Sequence, residues 1–420
     1  MKIPILPMLF LTVIGFPVSA LTLQDAEQIA LQEDPGQKIY QAQQASLIAK
    51  GISSATLADP MIKLGVANLP IDSLSMDSDP MTQLTVGVSQ QFSRGDTLNI
   101  TKDGFKLQSE VAVFQGLNRR LLVRKTVRQL WFKILFIEES TKLVSESKVF
   151  FTSFYSDLES RFSLGLAESE DIIAAEIELS KFDEKLAKLS QQSLSYRSLL
   201  SEWIGSAAFD QLQSNLPEWS DTLTFVAQSK NVQDQHYYSL LTEHPQVKVL
   251  NQNILVADSN ITLAEQDYKP RFKVELGYGH RLSEMDNGDS RSDLISGFVS
   301  MDIPLFTDQR QDQKLISSQH LKGQKQAEYR LLIRQLDAQL NAEIVNYQQF
   351  VSRQNRYQES LLKQAKLHAE LLEQSYQSNT RPFTEVIQAY IHVLNLSIEY
   401  QQLYFDSLKS LSNIRYFQAL

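Results

Sequence analysis

The six histidines, His236, His244, His280, His320, His368 and His392, are the side chains best suited to zinc or acid–base chemistry. None stands in an HExxH pattern or a close ligand cluster, so a zinc enzyme is not expected. Ser145-Glu146-Ser147-Lys148 matches the SxxK pattern of an acylating serine. It lies inside a continuous heptad helix, however, and reads as chance. Cysteine is absent, which removes thiol catalysis, disulfide scaffolds and Cys metal sites together. Met61, Met76, Met81 and Met285 offer soft sulfur, but packing is the default use for methionine. No Gly-rich phosphate loop is present, and neither catalysis nor a cofactor is expected. What remains is charge beside two turns. Asp171 and Arg381 lie just beyond matching turn signatures and have opposite sign. Tyr376 can donate a hydroxyl hydrogen bond there, and Glu385 adds a carboxylate one helical turn past Arg381. By themselves these are ordinary helix-end charges on a solvated surface.

The elements that carry these residues are long. The chain has 420 residues with only 15 Gly and 12 Pro. Its net charge of -9 argues against a nucleic-acid partner, which needs a basic face. A hydrophobic content of 43% excludes a helical multi-span membrane protein. Residues 1–20 have a basic start at Lys2, an apolar core and the ending Val18-Ser19-Ala20, the pattern of a cleaved secretory signal peptide. Leu130, Ile137, Val144, Phe151 and Leu158 recur every seven residues, as do Ile344, Val351, Ala365 and Leu372 with Gln358 as the polar member. Sustained heptads mean helices packed along their length. A helix over 96–162 would run about 100 Å at 1.5 Å per residue.

The plan occurs twice. Asp34-Pro35 matches His244-Pro245, and Asp59-Pro60 matches Lys269-Pro270, both at an offset of 210. Phe162-Ser163-Leu164-Gly165 lines up with Tyr376-Gln377-Ser378-Asn379 at 214. Gly and Asn are the residues that best tolerate a left-handed turn, so Gly165 and Asn379 are the expected turn residues. The reading is a first repeat at 21–205, a linking segment at 206–241 and a second repeat at 242–420. Each repeat holds a helix, two strands, a long helix, a turn and a helix. The strands are expected near 60–70, 81–93, 271–283 and 293–305. The helices after them are expected at 96–162 and 167–200, then at 307–377 and 383–416.

Phe272, Val274, Leu276, Tyr278, His280 and Leu282 alternate with Lys273, Glu275, Gly277, Gly279 and Arg281, a period of two. Strands of about 9–11 residues with one apolar face suit a transmembrane barrel, although a soluble sheet with one wet face has the same pattern. The loops holding Asp72, Asp77 and Asp79, and Asp286 and Asp289, are expected at the cell surface. Four strands cannot close a barrel, and open edges in lipid are strongly unfavourable. If the strands span a membrane, the chain must therefore oligomerise; two copies make a plugged eight-stranded barrel and three an open twelve-stranded one.

This plan, with the turns Arg161 to Ala175 and Tyr376 to Ala389, resembles the TolC-like outer-membrane efflux channels. The stretch from Asp59-Pro60-Met61 to Pro80-Met81-Thr82-Gln83 is similar to the heavy-metal-efflux (CusC/CzcC-type) branch. The resemblance implies a mainly α fold with a membrane β part. It implies a homotrimer with a twelve-stranded barrel in the outer membrane and a helical tunnel in the periplasm. The partners implied are a periplasmic adaptor and an inner-membrane pump, of the RND type for efflux. Asp171, Tyr376 and Arg381 match the family's periplasmic gate, and Glu385 matches an acidic constriction, with Gln388 where a second acid would stand. The cargo expected is metal cations or small toxic compounds. A protein-secretion duct and a periplasmic coiled-coil adaptor are the alternatives.

Overall fold

The computed structural model describes residues 20–215, 217–229, 236–378 and 380–420. All but the last residue of the signal-peptide expectation at 1–20, and the turn residue Asn379, lie outside the described residues. The described parts form two compact units, each drawing on both halves of the sequence. One takes its residues from Met1–Asp34, Leu122–Val232 and Ala342–Tyr416; the other from Pro35–Leu121, Gln233–Asn341 and Phe417–Leu420.

In the first unit, helix α1 (Leu23–Glu33) opens on a capping box. The Thr22 hydroxyl accepts from Asp25 N–H at 3.1 Å, and Asp25 accepts back from Thr22 N–H at 3.3 Å. Sequence patterning did not single out this helix. Its Glu27 holds Arg128, which is nearly fully buried, at 2.6 Å. The unit's framework is the second part of α3 (Thr97–Ser163) with α4 (Ser169–Ile204), α9 (Leu362–Gln377) and α10 (Phe383–Phe417). The α3 heptad buries Ile137, Val144, Phe151 and Leu158 against Ala175, Phe182 and Leu189 of α4, which are themselves seven apart. Phe383, Ile387 and Leu394 of α10 close the same core. Two helices with one seam each, plus a third across them, bury an apolar stripe that none could hide alone.

The expected single helix over 307–377 is interrupted. It runs as α8 (Gln311–Arg356), a π turn at Tyr357–Leu361, and α9. The break falls on Gln358, the polar member of the heptad frame, which is exposed. A wide turn absorbs a residue and re-aims the face that follows. Ala365 and Ala369 are buried beyond it.

In the second unit, α2 (Pro35–Ser54) and α7 (Pro245–Glu265) both begin on a proline, where a missing N–H costs nothing. The strands are β1 (Met61–Ala67), β2 (Gln83–Gln91), β3 (Arg271–Arg281) and β4 (Leu294–Asp302). They make one antiparallel sheet in the order β1-β2-β3-β4, so the middle pairing joins the two halves of the sequence. Among the described residues the outer edges of β1 and β4 are unpaired.

Candidate functional site

Two features could do work: the sheet and the helical turns. In the sheet, Leu64, Val86, Tyr278 and Ile295 stand in register across all four strands. The next row is Lys63, Gly87, Gly277 and Ser296. Adjacent rows face opposite sides. One face is therefore mostly apolar, with Gln90 and His280 as its polar members and no Lys, Arg, Asp or Glu on any strand. The other is polar or small, with Met61, Ala67, Leu294 and Phe298 as its apolar members. Among the described residues nothing covers the apolar face: Leu64 is 76% and Ile295 84% exposed. Strands β2, β3 and β4 have nine, eleven and nine residues, while β1 has seven. Among the described residues no helix is long and apolar enough to cross a membrane, a test that does not address strands.

The turns lie in the other unit. At the first, the Arg161 carbonyl accepts from Leu164 N–H at 3.1 Å and Leu166 N–H at 2.9 Å. Gly165 adopts a φ of 72°, which a side chain would strain. Leu164 and Leu166 project into solvent. Just below, the Tyr155 hydroxyl donates to Glu176 at 2.9 Å, a bond that leads in pushing its pKa up to about 12.

At the second turn, Thr380 donates to the Ser375 carbonyl through both its N–H (2.9 Å) and its hydroxyl (2.8 Å). Phe383, 1% exposed, packs on Phe154 of α3 with ring centres 5.9 Å apart. Tyr376 touches Phe383 at 5.4 Å and lies 4.9 Å under the Arg161 guanidinium. Burial raises its phenol, Asp157 and Asp171 add to the rise, and Arg161 opposes it.

The predicted residues thus separate into two groups. Asp171 acts on the Tyr376 phenol at the clasp between the hairpins. Burial first, then Glu170 and Glu168, push the Asp171 carboxyl above its ordinary value. Arg381, two residues before α10, pairs with Glu385 in the first turn of that helix at 3.4 Å rather than with Asp171 of the same chain. Arg381, Glu385 and Gln388 line an open groove with His368, Leu372 and His392. Two further residues join these clusters that the sequence reading did not place there. Arg161 was legible only as part of the turn motif; its stacking on Tyr376 needed the fold. His392 sits seven residues beyond Glu385 on the same face, a spacing the sequence did show. Among the described residues no three His, Asp or Glu side chains group to hold a metal ion.

This architecture matches that of solved outer-membrane channel proteins. It matches the CusC structure at a TM-score of 0.77 with 14% identity, over 94% of this chain and 91% of that one. The Campylobacter jejuni CmeC outer membrane channel matches at 0.74 with 14% identity, over 94% and 85%. The Vibrio cholerae outer membrane protein VceC matches at 0.77 with 14% identity, over 94% and 96%. Residues 236–411 match the family model described as Outer membrane efflux protein. The resemblance is therefore borne out for the fold along the chain, and the family model supports it over residues 236–411. No curated protein sequence matches the chain. The matched family and these neighbours are channel proteins rather than enzymes, consistent with the absence of catalytic motifs.

Proposed function

We propose that the chain is one third of a homotrimeric outer-membrane channel. In this reading it is the passive exit duct of a tripartite efflux system, fed by a periplasmic adaptor and an inner-membrane pump of the RND type. The observation that carries this reading is the four-stranded sheet. Among the described residues its apolar face is uncovered, its opposite face is mostly polar, and both of its edges are open. Lipid satisfies the first property and a water-filled bore the second. A neighbour's strand satisfies the third, because backbone groups left open in hydrocarbon are costly. Three copies supply twelve strands, wide enough for a bore.

The residues at the turns support a gate at the periplasmic mouth. Asp171 is a carboxylate held at an unfavourable value, and Arg381 is an exposed cation 57% accessible on its side chain. In a ring of alternating hairpins each would find its counter-charge on a neighbour. Glu385 would form an acidic constriction that favours cations. The cargo we propose is metal cations or small toxic compounds, through a channel of the heavy-metal-efflux branch.

Membrane fractionation with heat-modifiable migration tests the assembly: a water-soluble monomer without detergent would end this reading. Arg381→Ala should raise the closed-state conductance of purified channels in planar bilayers, and an unchanged conductance removes the gate assignment. A deletion strain exposed to copper, zinc, cobalt and dyes reads the cargo.

A further inference from the structure

The polar face of the sheet has a charge opposite to that of the molecule. The chain as a whole is at -9. On the polar face the strands carry Lys63, Arg271, Lys273 and Arg281 against only two carboxylates, Glu275 and Asp302. The arrangement is specific. Lys63 and Lys273 share Glu275, with Lys273 Nζ 2.9 Å from Oε2. Arg94, just past β2, and Arg271 share Asp302, at 2.7 and 3.1 Å from the same oxygen. One carboxylate cannot neutralise two cations, so each cluster leaves one positive charge.

The backbone is built to allow this. Lys63 on β1 reaches Glu275 on β3 across the whole of β2, and the residue in its path is Gly87. A Cβ at Gly87 would lie 4.0 Å from the Lys63 Cβ and 3.2 Å from the Leu276 carbonyl oxygen. The Lys63 side chain is still half exposed, so its ammonium remains open to solute. By contrast, the acids in the neighbouring loops, Asp72, Asp77, Asp79, Asp286 and Asp289, lie off the strands.

We propose that this face makes the barrel an anion-favouring stage of the conduit, with Lys63 and Lys273 as its selectivity-determining side chains. The inference rests on the channel reading, in which three copies repeat the two clusters around one bore. Charges on a pore wall act on ions within about 8 Å at physiological salt. A ring of uncompensated cations there lowers the barrier for anions and raises it for free cations. Anions, and metals carried as complexes of net negative charge, therefore pass this level more readily than bare divalent ions. Glu385 at the turns biases permeation the other way, so the two stages can be separated by mutation.

Purified channels in planar bilayers under a KCl gradient test this. Lys63→Glu combined with Lys273→Glu should shift the reversal potential towards potassium preference, and Glu385→Gln should shift it towards chloride. Lys63→Gln with Lys273→Gln gives a smaller shift of the same sign and keeps the test available should charge reversal block assembly, which heat-modifiable migration reports. Conducting variants whose reversal potential equals that of the unsubstituted channel overturn the inference and leave the channel reading standing. Absence of any conductance from the unsubstituted protein removes the channel reading and this inference with it.

Discussion

The two helical turns solve the same geometric problem with different chemistry. The α3–α4 turn is set by backbone: a left-handed Gly165 with open space around it and two leucines in solvent. The α9–α10 turn is set by side chains: Thr380 on the Ser375 carbonyl, Phe383 in the core and Arg381 on Glu385. The first presents carboxylates, the second a guanidinium. A turn defined by conformation tolerates changes on its surface. A turn defined by packing does not, and it transmits what happens at its charges into the hairpin core.

The largest difference should appear in the core. Phe383→Ala removes a buried ring and should cost about 3–5 kcal/mol, read as a lower denaturant midpoint and faster proteolysis near 378–383. Gly165→Ala should cost about 1–2 kcal/mol, because only the left-handed backbone is strained and the added methyl meets nothing. Equal losses at the two sites would erase the distinction between a packed turn and a conformational one.

The pH response sharpens it further. With its pKa raised in the folded chain, Asp171 opposes folding of the turn while ionised. Stability should rise as pH falls through that raised value and level off below the ordinary carboxylate range, where the unfolded chain is protonated as well. Asp171→Asn should flatten this window, measurable by amide exchange at residues 168–175. In the assembled channel a counter-charge beside Asp171 should pull its carboxyl back down, and Arg381→Ala should reverse that. Glu385→Gln should have the smallest effect on stability, a few tenths of a kcal/mol for one exposed pair four residues apart.

Much of this was legible in the sequence because the signals are local. Prolines at 35 and 245 start helices for a reason contained in one residue. The α3 heptad marked its buried seam in advance, since period alone decides which face is apolar. Alternation in β3 marked which of its side chains share the apolar face. The break at Tyr357–Leu361 was half visible, as a glutamine in a hydrophobic frame, but a polar residue does not say whether a helix bends, frays or widens.

Composition, period and turn residues determined the kinds of elements, their order and the faces they would bury or expose. They could do so because each depends on neighbours a few residues away. Only the tertiary structure decided that β2 pairs with β3, that Lys63 spans a glycine to reach Glu275, and that Arg161 covers Tyr376. Those partners are about two hundred residues apart in the chain. Their meeting depends on how whole helices and strands register against one another, and no local pattern encodes that.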